Sequence, residues 1–429
     1  MRENFTIKAR WWLPGKREEK TVFGTLLFET TGKLIVTMDE SLFGTTNIHE
    51  SNHNIPIPLV YGLTDENKCI TLYEVKGWEV GRTGWVSMEL YPDYVFISED
   101  RHWAVEDMEI TNFNFCMNGF GNFFRTYSNR LISDHPTDTE VQFTYQQPDP
   151  VEIINNEILN LYFYFQYQYS GMNDIANGAF TFKERIYLNI SPPGMISFKE
   201  FTKQLKFYGD FFRLFSQEIL SFDRIYVFLK APEDNKAKFR FIYRQPTDQV
   251  GRTPSVFHPL VAFDEIKNDI GQIMIKWINM REYATGGLSL FMQTKYVSFP
   301  SQTQLFLNFV FALETLHKTF FANQRSMHLS KRLEELIVQN KDILSEYQID
   351  EPGFVDKVFR QRNYLAHDHS NEDHSHISAD EYKRINPLLQ MIFELSLLRL
   401  LGIEEPLLKK MCNRNDNFEQ LAKGRGLPF

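Results

Sequence analysis

The chain changes its hydrophobic period once. Up to about residue 195, apolar and polar positions tend to alternate in short runs, the two-residue repeat of half-buried strands. Runs 22–28 and 33–38 flank Glu29-Thr30-Thr31-Gly32, which predicts a hairpin with glycine in its turn. Further strands are predicted at 69–75, 94–98, 140–145 and 181–190. Residues 161–169 place Leu161, Phe163, Phe165, Tyr167 and Tyr169 on one strand face, and Tyr162, Tyr164, Gln166 and Gln168 on the other. That face reads either as core packing or as a stacking surface for bases or sugars.

After Pro192-Pro193-Gly194 the period becomes helical. Ser197-x-x-Glu200 is a capping box opening a helix over 198–220,. Residues 225–230 and 238–244 read as two strands joined through Pro232-Glu233-Asp234-Asn235, and 264–281 as a helix closed by Thr285-Gly286-Gly287. Beyond 297–301 only helical patterns follow: 304–321, 329–347, 353–367, and a fourth helix that Ser378-x-x-Glu381 opens and Gly402 closes,. The expected fold class is α+β. A β-rich N-terminal domain covers 1–195, a mixed α/β extension 196–298, and an all-α bundle 299–429,.

Composition narrows the functions. The formal charge of −9 argues against a protein that coats nucleic acid, though not against one that grips a single phosphate locally,. Cys69, Cys116 and Cys412 are too scattered for a thiolate zinc site or a disulfide framework, so a reducing cytoplasm is expected,. Residues 1–15 lack the apolar core of a signal peptide,. The most apolar run, 305–321, is broken by Asn308, Glu314, His317 and Lys318, so no membrane span is expected,.

The chemistry concentrates in the third C-terminal helix. Phe354, Val355, Val358 and Phe359 form its buried stripe, and continuing that stripe leads to Arg362 and Asn363 and then to His367,. An arginine, an amide and an imidazole thus occupy a face the pattern assigns to the core, where each requires a partner. A guanidinium holds a phosphate bidentately, and an imidazole exchanges protons near neutral pH; together they suffice to cut RNA without a metal or other cofactor. Positions five apart on a helix lie about 140° apart, so Arg362 and His367 converge only if the helix ends near Ala366 or a second subunit supplies one of them. The competing structural reading pairs Arg362 with Glu314 and makes His367 a helix cap. Lys357 and Arg360 would add a modest basic rim, while Lys409-Lys410 read as a solvated face. The loop from His367 to His376 holds four histidines and three carboxylates, either a divalent-ion site or a solvated loop,.

Arg362, Asn363 and His367 at the end of a third helix resemble the Arg-x4-His element of the HEPN superfamily, and Ala312-Leu313-Glu314 resembles its acidic segment. Phe23-Gly24-Thr25-Leu26, Val60-Tyr61-Gly62-Leu63-Thr64 and Ile70-Thr71-Leu72 resemble the β-rich N-terminal domain of ApeA-like anti-phage proteins. The resemblance implies an endoribonuclease that acts by abortive infection on host RNA, with tRNA as the substrate class. It also implies a homodimer whose two Arg-x4-His elements share a cleft, and an N-terminal region that senses a phage component or restrains the toxin. The alternative is a non-catalytic sensor whose aromatic β region binds a ligand and whose bundle only dimerises.

Overall fold

The computed structural model describes residues 4–43, 54–82, 85–104, 109–125, 131–137, 140–169, 182–216, 220–230, 237–245, 259–280, 285–296, 301–321, 327–347, 351–367 and 377–422. The chain divides into two compact units: 1–121, 127–209 and 221–253 in the first, and 122–126, 210–220 and 254–429 in the second. The helical unit therefore begins earlier than residue 299. Residues 297–300, like Pro232-Glu233-Asp234-Asn235, lie outside the described residues.

The first unit is built on one antiparallel sheet. Six of its strands, β1 (Phe5–Trp12), β2 (Val22–Phe28), β3 (Leu34–Met38), β4 (Ile55–Thr64), β5 (Cys69–Arg82) and β6 (Trp85–Ser98), close into a barrel in the order β6-β3-β2-β1-β4-β5, because β5 also pairs with β6. The expected hairpin is present: Glu29 N–H donates to Lys33 O at 2.8 Å, and Gly32 supplies a φ of +87°,. Trp11, Leu26, Val36, Val60, Ile70, Leu72, Met88 and Leu90 fill the barrel. Trp11 lies so close to β4 that a Cβ on Gly62 would stand 2.5 Å from its ring.

From β6 the sheet continues through β14 (Ala237–Tyr243), β13 (Phe222–Leu229), β7 (Ile110–Met117), β12 (Phe182–Ser191), β11 (Asn160–Tyr169) and β10 (Val151–Asn155). Short helix α1 (Phe120–Phe123) follows β7, and β8 (Leu131–Thr137) with β9 (Glu140–Tyr145) makes a separate hairpin. Leu161, Phe163 and Phe165 of β11 are buried, as the packing reading requires, while Tyr167 and Tyr169 are exposed. Tyr164 stacks on Tyr187 at 5.2 Å, so its face is already occupied by protein. Helix α2 (Phe198–Leu214) opens at the expected cap, Glu200 N–H donating to Ser197 Oγ, and its Phe198 meets the rings of Tyr73, Tyr94, Phe96 and Phe241.

In the second unit the expected helix over 264–281 is two pieces, α3 (Phe263–Ile266) and α4 (Ile270–Met280). Thr285-Gly286-Gly287 does not close it. It opens a further helix, α5 (Thr285–Thr294), because Gly287 lets α5 approach α6 (Gln302–Phe320): a Cβ there would meet Thr315 at 2.6 Å and Ala312 O at 2.9 Å. The helix expected over 329–347 breaks at Asn340 into α7 (Leu329–Gln339), α8 (Lys341–Leu344) and a 3-10 turn. Then come α9 (Glu351–His367), α10 (Ala379–Leu401), α11 (Glu405–Arg414) and α12 (Asp416–Ala422). Helix α10 starts at the full Ser378–Glu381 capping box, ends at Gly402 with φ +92°, and is buried along most of its length. It touches α4, α6, α7, α11 and α12 and so forms the bundle's axis,. Among the described residues no helix is long and apolar enough to cross a membrane.

Candidate active site

Helix α9 packs through Phe354, Val355 and Val358, as its stripe predicts. The next buried position is not Arg362 but Gln361, 6% exposed. Its Nε2 donates to the Tyr382 hydroxyl at 2.8 Å and its Oε1 accepts from Ile377 N–H at 3.3 Å. One amide therefore fixes the end of α9 to the chain that enters α10. Sequence periodicity gave no sign of it, since a glutamine beside an arginine reads as surface.

That arrangement leaves Arg362 and Asn363 half-buried at the edge of the bundle. The Arg362 guanidinium faces α6. Its Nη2 stands 3.8 Å from Glu314 Oε2, its Nη1 donates to Asn363 Oδ1 at 3.1 Å, and its carbon lies 5.8 Å from the Phe311 ring centre. Its Nε is buried without a hydrogen-bond partner among the described residues. Glu314 is shared, because its other oxygen accepts from Lys318 Nζ at 2.7 Å, one helical turn on,. Arg362, Asn363 and Glu314 thus come together as one charged cluster.

Helix α9 is continuous through His367, so no break before Ala366 turns the imidazole toward Arg362 within one chain. The His367 side chain and the histidine-rich stretch 368–376 lie outside the described residues. The expected basic rim is neutralised: Arg360 pairs with Asp356 at 2.9 Å, and Lys357 pairs with Glu381. The Lys357 hydrogen bond, aided by the Ser378 N–H, holds the Glu381 carboxyl down at about 2,.

One turn beyond Glu314, His317 is wholly buried. Arg332 Nη1 donates to its Nδ1 at 3.2 Å, which leaves Nε2 to donate to Glu335 at 2.8 Å,. This chain of three ties α6 to α7. In the sequence His317 showed only as an interruption of an apolar run.

The cluster can present a guanidinium, backed by an amide and a carboxylate, to an incoming phosphate. In comparisons with known proteins, the family model described as ApeA N-terminal domain 1 matches residues 6–277, and that described as Apea-like HEPN matches residues 307–407. No curated protein and no solved structure matches the chain.

Proposed function

The chain belongs to the ApeA-like family and carries a C-terminal HEPN domain; from that premise we propose that it is an anti-phage endoribonuclease that needs no metal. The observation that supports this most is the position of Arg362, Asn363 and His367, at the end of α9 and inside the stretch that matches HEPN. In this reading Arg362 grips the scissile phosphate and stabilises the charge that gathers on it. His367 exchanges a proton with the ribose 2′-OH or with the leaving oxygen. The 2′-oxygen attacks phosphorus, the bond to the 5′-oxygen breaks, and that oxygen takes up a proton. The products are a 2′,3′-cyclic phosphate and a 5′-OH end.

Because positions 362 and 367 lie about 140° apart on a continuous helix, the reading calls for a homodimer in which the helix ends of two copies line one cleft. Asn363 holds the guanidinium and is within reach of the same phosphate. Lys357 and Arg360 contribute to RNA binding only after leaving their present carboxylates. Host tRNA is the substrate class, abortive infection is the outcome, and the N-terminal region senses a phage product or restrains the nuclease.

Purified protein incubated with tRNA in EDTA tests this. Arg362→Ala and His367→Ala are each expected to lower the cleavage rate about 10²- to 10⁴-fold, with cyclic-phosphate ends accumulating correspondingly more slowly than in the wild type. Equal cleavage by wild type and both variants sinks the reading. The Arg362–Glu314 pair favours a second reading, in which the helical unit only binds and dimerises. Under it, toxicity in phage-infected cells survives His367→Ala but not disruption of the first unit.

A further inference from the structure

The end of α9 is held to the start of α10 by a buried polar clamp, which closes just ahead of Arg362 and His367. Among the described side chains of α9, Gln361 is the last that is buried; those at 362–365 are all half-buried. We propose that Gln361 is the positioning residue of the nuclease site, setting the direction of the helix end that carries His367. The proposal rests on the ribonuclease reading above and deepens it.

Helical periodicity assigns an apolar side chain to this position. Phe354, Val355 and Val358 precede it on the buried stripe, and a methionine or leucine at 361 would complete that stripe. The chain buries an amide there instead, and both ends of the amide are used: Nε2 donates to the Tyr382 hydroxyl at 2.8 Å, and Oε1 accepts from Ile377 N–H at 3.3 Å. A hydrogen bond fixes distance and angle, where an apolar contact can slide. The partners are themselves held. Tyr382 is buried, with its ring edge-on to Phe306 of α6 at 5.5 Å between centres. Ile377 is buried one residue before Ser378, whose capping box with Glu381 secures the start of α10. Glu381 also pairs with Lys357, one turn before Gln361, so α9 and α10 are pinned at two successive turns.

Beyond Gln361 the helix continues to His367, a rise of about 9 Å at 1.5 Å per residue. An error in the direction of the axis at 361 grows along that length, and a displacement of about 1 Å at a reacting group costs about a hundredfold in rate. Arg362 has a separate hold on α6 through Glu314. Loss of the clamp therefore falls on proton transfer by His367, read in kcat, more than on the phosphate grip of Arg362, read in KM.

The experiment is steady-state RNA cleavage by the full chain in EDTA, at a temperature at which circular dichroism shows every variant folded. Gln361→Met keeps the volume and loses both hydrogen bonds; Tyr382→Phe removes the oxygen that accepts from Nε2. Each should lower kcat about ten- to a hundredfold with KM little changed. Combined, they should be no worse than Gln361→Met alone, because both break one contact. Gln361→Glu, whose carboxylate accepts from Ile377 N–H and from the Tyr382 hydroxyl, should recover most of the lost rate. Amide hydrogen exchange over 362–367 should quicken in the methionine variant and not in the glutamate one. Arg362→Ala is run beside them, and wild-type cleavage in it overturns the ribonuclease reading and this proposal together. With Arg362→Ala inactive, the positioning role alone is overturned by wild-type kcat in Gln361→Met, by unchanged amide exchange, or by a glutamate variant no faster than the methionine one. If Gln361→Met does not fold, Tyr382→Phe decides: wild-type kcat in it overturns the proposal.

Discussion

At the scale of single residues, the fate of Arg362 turns on Glu314. A partly exposed ion pair at 3.8 Å contributes about 0–1 kcal/mol net, far less than a phosphate gripped by a guanidinium in a closed cleft. The pair is therefore easily exchanged, but it still competes with substrate. For Glu314→Gln we expect KM for RNA to fall severalfold with little change in melting temperature; steady-state cleavage assays check this, and an unchanged or raised KM refutes it. Arg362 was legible in the sequence because it broke an apolar stripe; His367 stood out for the same reason, and its side chain lies outside the described residues. Glu314 was legible too, as an acid inside an apolar helix. Gln361 was not, because its worth lies in Tyr382 and Ile377, 21 and 16 residues away, and no local pattern encodes that reach.

At the scale of elements, boundaries with a chemical signature were readable and those set by tertiary contact were not. Ser378, Glu381 and Gly402 announce both ends of α10 within the chain's own backbone. The break after α7 has no such sign. It occurs where the buried Asn340 gives its amide N–H groups to Leu336 O and Ser396 Oγ and accepts from Arg399 Nε, so α10 sets it. The same holds for Gly287, read as a stop and found inside α5, pressed on α6. Gly287→Ala should cost about 1–3 kcal/mol, the usual penalty of an overpacked contact, even though alanine is the better helix former. Chemical denaturation measures it, and a gain in stability would show that α5 and α6 can separate freely at this point.

At the scale of the whole molecule, charge and topology set the limits. A chain of net −9 whose Lys357 and Arg360 are each matched by a carboxylate cannot release many counterions on binding RNA. The slope of log K against log salt should be shallow, equivalent to about one to three phosphate contacts, and filter binding across a salt series reads it directly; a slope near −6 would reveal a basic surface elsewhere. Barrel closure could not be read from sequence, because β6 pairs with β3, β5 and β14, and hydrophobic alternation names a strand without naming its neighbour. Strand β4 was missed because Pro56 and Pro58 break its pattern and only its partners make it a strand, whereas β1 was overlooked although Lys8 and Arg10 take the exposed face of a regular two-residue alternation. Within that barrel, the seat of Trp11 against Gly62 has a consequence for how such chains diverge. The indole occupies the space a methyl group at position 62 would need, so neither site can drift alone: a larger residue at 62 is tolerated only after position 11 has shrunk, and a smaller one at 11 leaves a void until 62 grows. The two positions, on strands far apart in the chain, are bound to change as a pair.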